Sequence, residues 1–221
     1  MGDDHPHLAH FRHAQPGEII TFGRYPQTAG GAEQTPVRWR VLQNSGDELF
    51  ILSEHILDCR RYHAAFVAIT WRDCDLRRWL NETFYDAAFN AAEKEIIGTT
   101  RCADNGEGSP DTEDRVFLPS IAEIENATGT LGKDFRRAVG TEYARVRKAD
   151  GCHLYVYDKS VEENYLVEDG ERQGCSWWWL RTQPGSPDRA AFIGTRASIR
   201  SYCRVNRTSY GVRPALKLDL R

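Results

Sequence analysis

At 221 residues, 40% apolar and 28% charged, the chain has the composition of a globular protein that buries a core without disulfide or metal staples. It has no apolar run near the roughly 20 residues of a membrane span. Its net charge of −3 and pI of about 6.2 lack the basic excess usual for nucleic-acid-binding domains.

Residues 1–17 are polar and rich in histidine, and read as a flexible arm, with a single domain over 18–221. The start, Met1-Gly2-Asp3-Asp4-His5-Pro6, has neither the basic opening nor the apolar core of a secretory signal. That places the chain in the cytoplasm, with phage-associated or other exported display as the other address. His5, His7, His10 and His13 are spaced closely enough to chelate a divalent ion, but a loose arm makes such binding adventitious. No metal and no cofactor is expected for the domain.

Glu18–Gly23 and Val37–Leu42 alternate apolar and polar residues as half-buried strands do. Glu48–Ser53 follows the Asn44-Ser45-Gly46-Asp47 turn as a hairpin partner. Residues 70–97 read as helical, with a capping box at Thr70–Asp73, an apolar face of Leu76, Trp79 and Leu80, and a second start at Asn90–Glu93. A strand at Gly98–Ala103 precedes an acidic loop, in which Asp111, Glu113 and Asp114 form a solvated turn that lacks the spacing of a calcium loop. Arg115–Pro119 reads as a buried strand, Ser120–Glu123 as a capped helix start, Gly140–Lys148 as a helix, and everything from Gly174 on as short strands and turns. The fold class is α+β, with helices packed on irregular antiparallel sheets.

The chemistry-bearing motifs are mostly missing. There is no phosphate loop, no H-E-x-x-H helix and no G-x-S-x-G elbow, and this lowers the expectation of an enzyme. The six cysteines never stand in a C-x2-C pair, so neither a zinc ribbon nor a disulfide framework is indicated. Trp177, Trp178 and Trp179 cannot all face one way on a strand; Trp177 and Trp179 are expected on one side and Trp178 on the other. From Arg189 to Arg213 there are six arginines and no acid, interleaved with Tyr, Ser and Asn, the residue types favoured at recognition surfaces. Interleaved Arg and Tyr also suit phosphate pairing and base stacking, although the mildly acidic whole weighs against nucleic acid.

Several blocks together resemble a bacterial and phage domain family without assigned function: Ile20–Gln27, Val37–Leu42, Leu76–Asn81, Phe84–Phe89, Val116–Ser120, Trp178–Arg181 and Gly211–Leu216. That family is similar to the C-type-lectin-like folds of formylglycine-generating enzymes and of the variable proteins of diversity-generating retroelements. The resemblance implies a C-type-lectin-like fold, and a ligand-binding function in which a face before a closing Gly-hydrophobic-Arg motif, here Gly211-Val212-Arg213, meets a macromolecule, with protein the expected partner. The contact residues so implied are Arg196, Ser198, Arg200, Tyr202, Arg204, Asn206, Arg207, Ser209 and Tyr210. In this picture Tyr202 and Tyr210 are exposed anchors, removable without loss of stability. The alternatives are a metal-dependent oxidase relative of the formylglycine-generating enzymes and a nucleic-acid-binding module. The oxidases use two cysteines five positions apart; Cys203 has Ser198 at the partner position, and one thiol cannot supply the paired soft-ligand site. Gln183-Pro184-Gly185 likewise lacks the carboxylate of the lectin calcium motif.

Overall fold

The computed structural model describes residues 9–221. Its framework is two sheets. The first is antiparallel, in the order β1 (Ile19–Pro26), β2 (Gln34–Asn44), β3 (Glu48–Ser53) and β13 (Ala215–Asp219). The second runs β11 (Ile199–Arg204), β10 (Arg189–Ile193), β9 (Trp178–Trp179), β12 (Gly211–Val212) and β4 (Asp58–Cys59). Two further hairpins stand apart, β5 (Thr100–Cys102) with β6 (Thr112–Asp114) and β7 (Tyr165–Glu168) with β8 (Glu171–Gly174). With the helices packed against these sheets, the class is α+β. Among the described residues no helix is long and apolar enough to cross a membrane.

The three strands expected at the start of the domain are all present. The residues before them are not a loose arm throughout. Helix α1 (Ala9–His13) docks because Phe11 and Ala14 are buried in the core. The Arg12 guanidinium donates to the Leu220 carbonyl at 2.7 Å, and the Asn44 amide donates to the Ala14 carbonyl at 2.8 Å. The packed chain therefore begins well before Glu18. His5 and His7 lie outside the described residues.

Helix formation over 70–97 is interrupted. Thr70 and Asp73 form a turn, and α2 (Asp75–Trp79) begins two residues after it, with the Cys74 sulfur accepting from the Arg77 N–H. A π-helical turn, Leu80–Phe84, continues into α3 (Tyr85–Ala88). Phe89 is extended, and α4 (Ala91–Ile96) restarts behind the Asn90–Glu93 capping box. The capping box at Ser120 starts α5 (Ile121–Leu131) as expected, whereas the helix expected over Gly140–Lys148 is confined to α6 (Glu142–Arg145). Lys148 is drawn away from the helix axis towards the buried Asp58 carboxylate, 3.3 Å from its ammonium.

Arg115–Pro119 is buried at Val116, Phe117 and Leu118 but is not a strand in a ladder. Asn81 explains this: its side-chain oxygen accepts from the N–H groups of Arg115 (2.8 Å) and Val116 (3.3 Å), and its amide donates to the Val116 carbonyl (2.9 Å). A side chain satisfies the backbone that a neighbouring strand would otherwise bind, leaving one bridge, Phe117 to Ala215. Nor is the acidic turn wholly solvated. Asp114 is buried and takes bonds from Arg77 Nε (2.6 Å), Thr112 Oγ1 (2.8 Å) and Trp71 Nε1 (3.0 Å).

The two sheets are joined at the end of the chain, where β12 belongs to the second and β13 to the first. Arg213 sits in that crossing, buried. Its Nε donates to the Ser53 carbonyl at 2.7 Å and its Nη1 to the Phe135 carbonyl at 2.9 Å; the guanidinium lies over the Trp178 ring at 4.9 Å. Gly211 makes the approach possible, since a Cβ there would meet Ile56 Cγ2 at 2.3 Å. Arg181, also buried, performs a similar task beside it, clasping Glu123, Asn105 and the carbonyls of Leu118 and Ala103.

Gly211→Ala should therefore cost about 1–3 kcal/mol by overpacking, measured as urea unfolding. In the Gly211→Ala/Ile56→Ala double variant the combined loss should be smaller than the sum of the two single losses; simple additivity would show that Ile56 is not the obstacle.

Glu54 carries a second prediction. Burial pushes its carboxyl up, but the hydrogen bond from Arg40 and the charges of Arg213, Arg40 and His55 outweigh burial and hold it below its ordinary value of 4.5. A depressed folded value means that the stabilisation is complete above the unfolded value and is lost as pH falls through the folded one. The stability gap between the wild type and Glu54→Gln should thus be widest near neutrality and close below about pH 4.5, as urea midpoints measured across pH will show.

Candidate functional site

The β10–β11 hairpin is the outer part of the second sheet, and β11 is its edge. Its turn, residues 194–198, closes with Gly194 N–H donating to the Ser198 carbonyl at 2.9 Å and places Ala197 at φ +60°. Here too a glycine permits a close approach: a Cβ on Gly194 would lie 2.9 Å from Ser198 Oγ and 3.9 Å from Trp177 Nε1. The turn is tied to the body through Arg137 Nε to the Thr195 carbonyl (3.1 Å), Thr195 Oγ1 to Asn164 Oδ1 (3.2 Å) and the Arg196–Glu163 ion pair (2.9 Å). A register shift between Ala190 and Phe192 marks a bulge in β11 at Ser201 and Tyr202, opposite Ala191, and bulges re-aim side chains in this way.

Beside the hairpin lies a pocket of about 390 Å³. Its apolar surface is aromatic: Tyr157, Trp177, Phe192, Tyr202 and Tyr210. The ring centroids of Trp177 stand 5.1 Å from Tyr157, 5.7 Å from Phe192 and 5.3 Å from Tyr210, and Tyr202 meets Phe192 edge-on at 5.7 Å. Tyr155, 52% exposed, extends the aromatic surface outward from Tyr157. Arg196, Arg200, Ser198, Thr195 and Asn164 supply the polar lining.

Of the residues implied by the resemblance, Arg196, Ser198, Arg200, Tyr202 and Tyr210 line this one pocket. Arg204, Asn206, Arg207 and Ser209 do not. Arg204 lies further along the edge, its guanidinium 4.8 Å from the Phe66 ring. Arg207 donates its N–H back to the Arg204 carbonyl in a turn, and the Ser209 carbonyl accepts from Tyr155 N–H. The segment 206–209 is thus a connection held from the other side by residues 153–155.

Tyr210 is not an exposed anchor. It is 6% exposed, stacked on Trp179 at 4.4 Å and packed edge-on against Phe192 at 5.0 Å, so it is the floor of the pocket and part of the core. Burial, and then the neighbouring Cys203 thiol, push its phenol well above the ordinary range. Tyr202, at 61% exposure, is the anchor of the expected kind. As the alternation suggested, Trp177 and Trp179 share Tyr210 as a ring neighbour, whereas Trp178 turns to Arg213.

Tyr157, Trp177, Asn164, Thr195 and Phe192 complete the site and were not among the residues implied. The spacing of Tyr155 and Tyr157 is a usable signal, since two tyrosines at period two place both rings on one face of an extended segment. Asn164 and Thr195 carry no such signal; their meeting depends on how two distant loops dock.

The thiols offer little reactivity. All six cysteines are free and buried, and burial pushes Cys203 up to about 11, opposed in part by the Tyr210 hydroxyl and by Arg207 and Arg189. Ser198 lies on the pocket lining and Cys203 is buried in the core. Among the described residues no group of three His, Cys, Asp or Glu side chains stands close enough to hold a metal ion.

An α+β domain with an aromatic pocket at a sheet edge is the class that fold and site define. The chain belongs to the family described as a domain of unknown function, DUF6273, whose profile matches residues 46–220. No curated protein and no solved structure matches it.

The two tyrosines should separate cleanly. Tyr202→Ala should leave the thermal midpoint close to wild type, because its ring is mostly in water. Tyr210→Ala should cost about 3–5 kcal/mol, as removal of a buried aromatic ring does, in calorimetric or urea unfolding. Equal stability of the two variants would contradict the burial of Tyr210.

Proposed function

We propose that this chain is a ligand-binding protein with a C-type-lectin-like arrangement, which presents the β10–β11 edge and its aromatic pocket to a macromolecular partner. The observation that carries this reading is the pocket itself. Aromatic side chains with a polar tip are the usual anchors of recognition surfaces, and here rings are held half out of water by a scaffold that fixes their floor. The pairing of β13 with β3 and the junction at Gly211-Val212-Arg213 support the lectin-like arrangement, in which the closing motif anchors the sheet carrying the binding face. The lone, buried Cys203 beside Tyr210 disfavours the oxidase reading, because copper or iron chemistry of that kind needs paired, ionisable soft ligands.

Within this reading the variable-protein comparison divides the candidate positions. Arg196, Ser198, Arg200 and Tyr202 face the pocket with few structural duties, and Arg204 lies along the same edge. Tyr210 is core, and Gly211 and Arg213 are structural. Sequencing the gene's surroundings tests this directly. Diversification requires a nearby reverse transcriptase gene and a near-copy of codons 188–213, with differences confined to template adenines. Those differences should fall on codons 196, 198, 200, 202 and 204 and spare 203, 210, 211 and 213. Absence of both companion sequences would sink the diversified reading, and substitutions concentrated on codons 210–213 would show that the binding face is misplaced.

A further inference from the structure

Resting on that reading of the face, we infer that the pocket takes a bulky apolar side chain from an acidic peptide segment of a partner protein, laid along the edge of β11 so that its carboxylates meet Arg200, Arg204 and Arg207. Charge is the first ground. Arg196 is matched by Glu163 at 2.9 Å, and Arg189 approaches Asp188 at 3.8 Å. Among the described residues no carboxylate comes within ion-pair range of Arg200, Arg204 or Arg207. All three are exposed. Three unmatched guanidiniums follow one another along a strand and the turn after it, in a stretch that contains no acid. Such a row favours carboxylates and repels a basic segment.

The pocket supplies the second ground. A space of about 390 Å³ walled by five aromatic rings suits one large apolar side chain. It also holds an unused donor. Trp39, Trp71, Trp178 and Trp179 all spend their indole N–H on a carbonyl or carboxylate. The Trp177 indole N–H has no such acceptor among the described residues, and its ring is on the pocket lining; Trp79, whose buried N–H also lacks a partner, lies outside this pocket. An occupant carrying a carbonyl next to its side chain, as every peptide does, satisfies that donor.

The third ground is the backbone. β11 is an edge strand, and an extended peptide beside such an edge gains main-chain hydrogen bonds with no new pocket required. The Arg189 guanidinium holds the Tyr202 carbonyl at 3.1 Å, so pairing is directed to either side of the bulge.

A nucleic acid fits less well. The segment between the lining residues Tyr157 and Asn164 carries Asp158, Glu162 and Glu163 against the single cation Lys159, an acidic rim that repels a continuous polyphosphate while a short peptide places its few carboxylates on the arginine side. Beyond Arg204, the exposed Phe66 and Val67 continue the apolar part of the surface, so a segment that alternates acidic and apolar residues matches the whole edge.

The test is selection of a random dodecapeptide display library on the intact chain, followed by calorimetric titration of the enriched peptides in synthetic form. The expected peptides carry Phe, Tyr, Trp or Leu flanked by Asp or Glu. Their affinity should fall about tenfold or more in Arg200→Glu and in Tyr202→Ala, and should weaken with added salt. Both substitutions are of exposed side chains, and their thermal midpoints serve as the control for folding. Enriched peptides that depend on Tyr202 but show no acidic excess, or bind Arg200→Glu as well as wild type, would overturn the acidic ligand while leaving the face in place. Peptides indifferent to both substitutions would overturn the face as well. Tighter binding of a thymidine dodecanucleotide than of any enriched peptide, lost steeply with salt, would replace the peptide by nucleic acid.

Discussion

The structure turns on one buried cation. Arg213 stands where the chain leaves the second sheet for the first, and its guanidinium reaches the backbone of Ser53 at the end of β3, the backbone of Phe135 in the connecting loops, and the face of Trp178 in β9. Burying an unpaired charge is costly in isolation. Here Glu54 lies 3.9 Å away, and Arg40 anchors that carboxylate in turn at 2.5 Å. Removing any member strands the others. Glycine at 211 completes the junction by letting the strand lie against Ile56.

Arg181 repeats the device a short distance away. Its guanidinium binds one helix through Glu123 and two loops through Asn105, Leu118 and Ala103. Its own carbonyl accepts from the Tyr62 hydroxyl at 2.8 Å. Two arginines therefore gather the irregular connections that the sheets cannot hold by ladder bonds alone. The aromatic pocket inherits its rigidity from them: Trp178 rests on Arg213, Trp179 stacks on Tyr210, and Tyr210 is the floor on which the exposed rings are arranged.

Much of this was legible in the sequence where one local signal suffices. The first two strands follow from alternation and the third from the turn before it, and the helices at Ala91 and Ile121 from capping boxes whose reciprocal bonds are present. The sequence failed where a distant side chain decides. Asn81 takes over the backbone of Arg115 and Val116, so a buried apolar run does not become a strand. Asp58 draws Lys148 out of an expected helix. Phe11, in a largely polar arm, brings α1 down onto the core. The site was half legible for the same reason. Arg196, Arg200 and Tyr202 lie on one hairpin, and their composition marks them. Tyr157, Asn164 and Trp177 arrive from elsewhere, and Tyr210 shares the composition of a contact residue while occupying the position of a core one.

The late position of the junction also bears on how the fold is reached. β3 waits for β13, and β4 and β9 wait for β12, so neither sheet can close until residue 213 and the strand after it have left the ribosome. Pairings between segments so far apart carry a large loop-closure cost before they gain anything. Until then β3 lacks one of its two neighbours and the tryptophans of β9 are paired with β10 alone, and apolar strand edges left open in this way are where nascent chains stick to one another. The local pairings can form early, but the joining of the two sheets comes last, and the same few residues that support the aromatic pocket also set the moment at which that joining can occur.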